Sequence, residues 1–289
     1  MKIKFLVLVV VVILSYGMVF QSEALQAENS AAASSTSSPS QEFEGFNLSG
    51  YTDSGEKSWD VKGDTAIFMG TMIEMTNIVA HAYGDQKMNV TAKTGTVDQK
   101  NGDMHLEKDV VMTSDTGARL TTNSLDWQRE KDLVTTNDKV VLIDGKLMAT
   151  GTGALAHPNL KTAQMNEDVT VKMKPESNTK AGEKSVIITC DGPMEIDQAK
   201  QQAVFNINVV AFQEGKELKA DRIEVYFDQQ SKQIKELVCL GHVAITMGGN
   251  TTYSEKAVYR QEDQKMVLSG RPKLILMTEG DKGFASLGN

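Results

Sequence analysis

The sequence predicts an all-β, elongated body built from strand repeats of about 30 residues in two consecutive units. Three observations carry that expectation. Residues alternate at the period of a strand, with Ala203, Phe205, Ile207, Val209 and Ala211 on one face and Val204, Asn206, Asn208 and Val210 on the other. A motif returns, since Ile188-Thr189-Cys190-Asp191 comes back as Leu218-Lys219-Ala220-Asp221 after a turn at Gln213-Glu214-Gly215-Lys216. Finally, two columns of residues march through the chain in step. One is Lys108-Asp109-Val110, Asp138-Lys139-Val140, Glu167-Asp168-Val169, Ile207-Asn208-Val209, Gly241-His242-Val243 and Arg271-Pro272, with steps of 30, 29, 40, 34 and 29 residues. The other is Thr91-Ala92, Thr121-Thr122, Ala149-Thr150, Thr189-Cys190, Lys219-Ala220 and Tyr253-Ser254.

Composition bounds the reading. A chain of 289 residues that is 40% hydrophobic can bury a substantial core, as one long domain or two ordinary ones. Five prolines and 6% aromatics exclude a low-complexity chain. The net charge of −8, with Lys and Asp/Glu interspersed, leaves no basic stripe and argues against a nucleic-acid partner.

Taken in order, residues 1–24 read as an N-terminal signal or membrane anchor. Lys2 and Lys4 precede an apolar run from Phe5 to Phe20, and Ser22-Glu23-Ala24 offers a cleavage site, so removal and retention are both open. The lysines keep the start cytoplasmic and send the chain beyond Gln21 across the membrane. Residues 25–42, rich in Ser and Ala, read as a flexible tether that has little apolar surface to bury.

The first folded unit spans 43–174. Trp59 to Ala66 is an alternating strand, and Val90-Thr91-Ala92, Leu106 to Met112, Leu120 to Trp127, Val134 to Ile143 and Met148 to Ala154 continue the series without a helical period. Residues 175–184, with Pro175, Gly182 and charged side chains, form a linker that accounts for the 40-residue step. The second unit spans 185–277, and 278–289 is a polar tail.

A repeat with one apolar face cannot bury it alone, so stacking yields an elongated body with two walls. The residues expected to line those walls are Leu106, Val110, Met112, Val140, Leu142, Met165, Val169, Val171, Phe205, Val209, Ile245, Leu274 and Leu276, together with Met173. They fill a closed sandwich on one reading and an open trough on the other. Fifteen Met in a chain with 6% aromatics favour a pliable lining. Cys190 and Cys239 both point inward, and in an exported protein they form either a disulfide or two buried apolar thiols.

Tyr51-x-Asp53-x-Gly55, then Trp59-x-Val61-x-Gly63-x-x-Ala66 and Gly151-x-Gly153 before His157-Pro158, resemble LptC, the membrane-anchored periplasmic component of lipopolysaccharide export. Thr189 to Glu195, Ala220-Asp221-Arg222-Ile223, Gly241-His242-Val243 and Leu268 to Pro272 resemble the OstA-like repeat of LptA. The resemblance covers about residues 43–277 and implies an open, V-shaped β-jellyroll whose apolar groove takes the acyl chains of lipid A. It also implies a periplasmic bridge from an inner-membrane lipopolysaccharide ABC transporter complex to the outer membrane, assembled from LptA-like subunits by edge-to-edge β pairing. No cofactor is implied. With no nucleotide-binding loop in the chain, directional movement has to be driven by a partner, and Arg119, Lys139 and Arg222 are at most minor contacts to head groups.

Other classes fare worse. Ser54-x-x-Lys57, Lys93-Thr94-Gly95 and Ser114-Asp115-Thr116 are the three motif types of serine penicillin-binding enzymes, but Ser54 sits in a turn and the order is wrong. His81, His105, His157 and His242 are scattered, so neither catalysis nor a metal site is expected. A structural or adhesive β-solenoid without lipid cargo stays open as the alternative function.

Overall fold

A computed structural model describes residues 41–52, 54–83, 87–174, 185–229 and 234–276. The expected signal or anchor, nearly all of the tether, the linker 175–184 and the polar tail lie outside the described residues. Seventeen strands form: β1 (Gln41–Tyr51), β2 (Lys57–Met69), β3 (Met72–Tyr83), β4 (Lys87–Asp98), β5 (Met104–Ser114), β6 (Arg119–Gln128), β7 (Leu133–Asp144), β8 (Leu147–His157), β9 (Thr162–Met173), β10 (Val186–Cys190), β11 (Met194–Asp197), β12 (Gln202–Gln213), β13 (Lys216–Phe227), β14 (Ile234–Met247), β15 (Asn250–Arg260), β16 (Lys265–Ser269) and β17 (Lys273–Ile275). No helix occurs among the described residues. The all-β class is therefore as the alternation implies.

From β1 to β9, and again from β12 to β15, each strand pairs antiparallel with the next. The sheet does not stop between the two sequence units. Strand β9 pairs with β10 from Met173↔Val186 to Val169↔Cys190, and with β11 from Met165↔Met194 to Thr162↔Asp197. The short strands β10 and β11 share one position in the sheet, and so do β16 and β17, both of which pair with β15.

The register explains both sequence columns. Nearly every strand carries a slip near its middle, as at Glu107/Val110, Thr136/Lys139, Asn206/Val209 and Leu240/Val243. Residues there take left-handed backbone, including Lys108, Asp109, Asp168, Ile207, Asn208 and His242. Such bulges bend a strand sharply, so its two halves turn toward each other as two walls. Inside the bend a valine faces a small residue on the next strand: Val110↔Thr122, Val140↔Gly151, Val169↔Cys190, Val209↔Ala220 and Val243↔Ser254. All five valines are at most 1% exposed. The repeat is thus one hairpin, and in four of the five pairs its two columns are partners across a strand pair, Val140 meeting Gly151 just beside the second column.

Outside the bend, carboxylates tie neighbouring bulges together. Asn77 Nδ2 donates to Asp64 at 2.6 Å, Ser124 Oγ to Asp138 at 2.6 Å and Asn208 Nδ2 to Asp191 at 2.6 Å, while Lys93 Nζ meets Asp109 at 2.5 Å. At the junction of β10 and β11 the fit is tighter still, because a Cβ on Gly192 would fall on the carbonyl oxygen of Asn166.

Candidate apolar groove

Two inward rows run across the sheet. The first reads Leu48, Val61, Ala80, Val90, Met112, Leu120, Leu142, Ala149, Val171, Ile188, Ala211, Leu218, Ile245, Thr252 and Leu274, each directly opposite the next. Only Thr252 in it is polar. The second, beyond the bend, includes Ala66, Met75, Gly95, Leu106 and Leu125, and then Ala154, Met165, Met194, Phe205, Ile223, Cys239, Ala257 and Leu268. These rows face one another, since Leu120, Val140 and Leu142 line the same small cavity as Ala154, Met165 and Met194.

Of the residues expected to line the walls, Leu106, Val110, Met112, Val140, Leu142, Met165, Val169, Val171, Phe205 and Val209 are buried in one continuous core. Ile245 and Met173 are half-buried against it. Leu274 and Leu276 are exposed, at 57% and 61%, because among the described residues no further strand covers them. The seam therefore does not stand open along its whole length. From β2 to β11 the walls touch, and a cavity between them has a volume of about 30 Å³.

From β12 onward the first row loses its cover. Ala211, Leu218, Ile245 and Thr252 are half-exposed and Leu274 is exposed, although Cys239 and Ala257 in the second row stay fully buried. Leu48, at the N-terminal end of the same row, is half-exposed as well, so the longer opening is the C-terminal one. Closure elsewhere follows from packing: empty apolar volume costs about 24 cal/mol per Å³, so even about 200 Å³ of unfilled trough would cost roughly 5 kcal/mol.

Polar groups near the seam have partners of their own. The hydroxyls of Thr122 and Thr136 meet at 3.2 Å. Cys190 and Cys239 are free thiols rather than a bridge, and burial pushes them up to about 11 and about 12 respectively. Thiols held so high are almost wholly protonated and poorly reactive.

Outside the groove the most strongly perturbed group is Asp60, on the outer face of β2. Burial raises its carboxyl, but hydrogen bonds from Lys57 Nζ at 2.7 Å, His81 Nδ1 at 2.8 Å and Tyr83 Oη at 2.8 Å outweigh that and hold it well below the usual carboxylate range. Lys57 thus serves Asp60 and not Ser54. The other histidines are likewise kept apart, His105 on Asp126, His157 on the carbonyl of Asp132 and His242 on Asp221. No metal-binding group of three or more ligands occurs among the described residues. Arg222 is taken by Glu224 and Asn206.

Sequence reasoning missed Leu120, Ala154, Met194 and Leu218 as wall residues. Alternation from Met165 and Ile188 through the register reaches all four, but only once the strand pairing is known.

Over residues 6–174 the chain matches the family described as lipopolysaccharide-assembly, LptC-related. The chain belongs to that family. Residues 188–285 of this LptC-related chain match a second family, the LptA/LptD N-terminal domain lipopolysaccharide transport proteins. One chain thus joins an LptC-like to an LptA-like part. Among solved structures it is similar to LptH from Pseudomonas aeruginosa, titled the LptA-homologous periplasmic component of the lipopolysaccharide transport device. Identity is 14%, coverage is 67% of this chain and 97% of that one, and the TM-score is 0.21. No curated protein matches. Members of the two families are periplasmic, non-enzymatic components of the lipopolysaccharide transport bridge, and this LptC-related chain is a component of that bridge. Among its described residues no helix is long and apolar enough to cross a membrane.

Proposed function

We propose that the chain carries the acyl chains of lipid A between its two walls, and that the open end between β12 and β17 receives them. One observation supports this most: an inward row that is apolar at all but one position, buried from Val61 to Ile188 and half-exposed to exposed from Ala211 to Leu274. Each methylene moved from water into such a row gains about 0.8 kcal/mol, so a single acyl chain gains enough to offset the parting of packed walls. Leu218, Ile245 and Leu274 make the first contacts, with Phe205 and Val209 deeper. The chain would work as two units, 43–174 and 185–277, within one sheet. Residues 1–24 would hold it at the inner membrane beside the ABC transporter complex, and its free edges would pair with LptA-like subunits.

A photocrosslinking residue at Ile245 in cells tests the proposal. Adducts with lipopolysaccharide are expected; a folded chain that gives none contradicts it. The shut core over β2–β11 favours a second reading, a post that assembles into the bridge without cargo. That reading requires crosslinks to protein at the edges and no lipid adduct at Ile245 or Val140.

A further inference from the structure

On the C-terminal side the two walls change from shut to open at one place, and that place coincides with the joint between the two sequence units. On the shut side Leu142 and Val171 are each 1% exposed, and Ile188 is 8% exposed. One strand further, Ala211 is half-exposed, and exposure continues through Leu218 and Ile245 to Leu274. The cavity of about 30 Å³ sits beside this transition, with Leu120 and Leu142 on one side and Met165 and Met194 on the other. The small Ala154 and Ala163 share its lining with Val140, Leu155 and Ile196, and Gln164 alone brings a polar side chain.

We infer that this joint is a valve. Acyl chains occupy the C-terminal opening without rearrangement, and the parting of the closed β2–β9 walls starts where Leu120 and Leu142 separate from Met165 and Met194. Three features suit it to that task. A pre-existing void means that some wall-to-wall contact is already missing there, so separation starts with less dispersion to lose than elsewhere along the seam. The two methionines have unbranched side chains that can swing aside within the core. The backbone on the C-terminal side is already divided into β10 and β11, so the two walls meet at a break in the strand and not through one rigid strand. This inference rests on the proposed lipid cargo and adds to it where passage is controlled.

The test uses the full chain and a diazirine-bearing palmitic acid as probe, with labelled residues mapped by mass spectrometry. Labelling is expected at Leu218 and Ile245 and absent at Val110. Met194→Ala enlarges the void and raises labelling at Val110 several-fold. Ala163→Val fills the void and leaves Val110 unlabelled, including at probe concentrations where Met194→Ala is labelled. Both variants keep the labelling at Ile245, which also reports that the chain is folded. Equal labelling of Val110 and Ile245 in the native chain, or labelling of Val110 that neither variant moves, overturns the valve while leaving the cargo intact. Absence of labelling at Ile245 overturns the cargo proposal itself.

Discussion

At the scale of single residues, the fold rests on size matching inside the bend. Val209 is fully buried opposite Ala220, and the same large-against-small pairing recurs along the sheet. Ala220→Leu overfills that space and is expected to lower the unfolding free energy by about 1–3 kcal/mol, measured by urea titration. An exposed site such as Lys219 should tolerate the same change within about 0.5 kcal/mol. Asp60 makes a separate, pH-dependent contribution. Its folded-state pKa is depressed, so its stabilisation is present above the unfolded value near 3.9 and is lost as pH falls through that region toward the folded value. Asp60→Asn should therefore destabilise the chain at neutral pH, by about 1–3 kcal/mol. It should also flatten the loss of stability on acidification below about pH 4. Urea midpoints from pH 7 to pH 3 check both. The histidine, lysine and tyrosine around Asp60 were not legible together in the sequence, since His81 and Tyr83 are brought to it by the β2–β3 register.

At the scale of elements, the strands were legible because alternation reports which face a residue occupies. The two columns of Val and small residues were legible as a period, and the pairing of Val169 with Cys190 or Val243 with Ser254 shows why they keep step. What alternation does not report is the distance between two walls. Val140 and Ile245 look alike in the sequence, yet one is 1% exposed and the other half-exposed, because cover comes from strands far along the chain. The same blindness applies to the thiols. Cys190 and Cys239 both face inward, but they lie on β10 and β14 with β12 and β13 between them in the sheet, and they stay free. The strands on either side of residues 175–184 pair directly, so the two sequence units share one sheet.

At the scale of the whole molecule, fifteen strand positions at about 4.8 Å spacing make a sheet roughly 67 Å across. Strand β1 pairs with β2 alone, and β16 and β17 pair with β15 alone, which leaves a free edge at each end among the described residues. Unlike edges pair head to tail and can extend into a chain of subunits. Leu274 and Leu276 are exposed at the last edge. Leu274→Lys is expected to leave the unfolding midpoint unchanged and to weaken pairing with the next bridge subunit, read by pull-down of the full chain. The measurement that bears most directly on the central claim is native mass spectrometry of the full chain extracted from membranes of the cells that make it. The account expects a bound species with the mass of lipopolysaccharide on the native chain and its loss in a Leu218→Asp, Ile245→Asp variant that still folds. A native chain free of glycolipid, or a variant that retains it, would contradict the account.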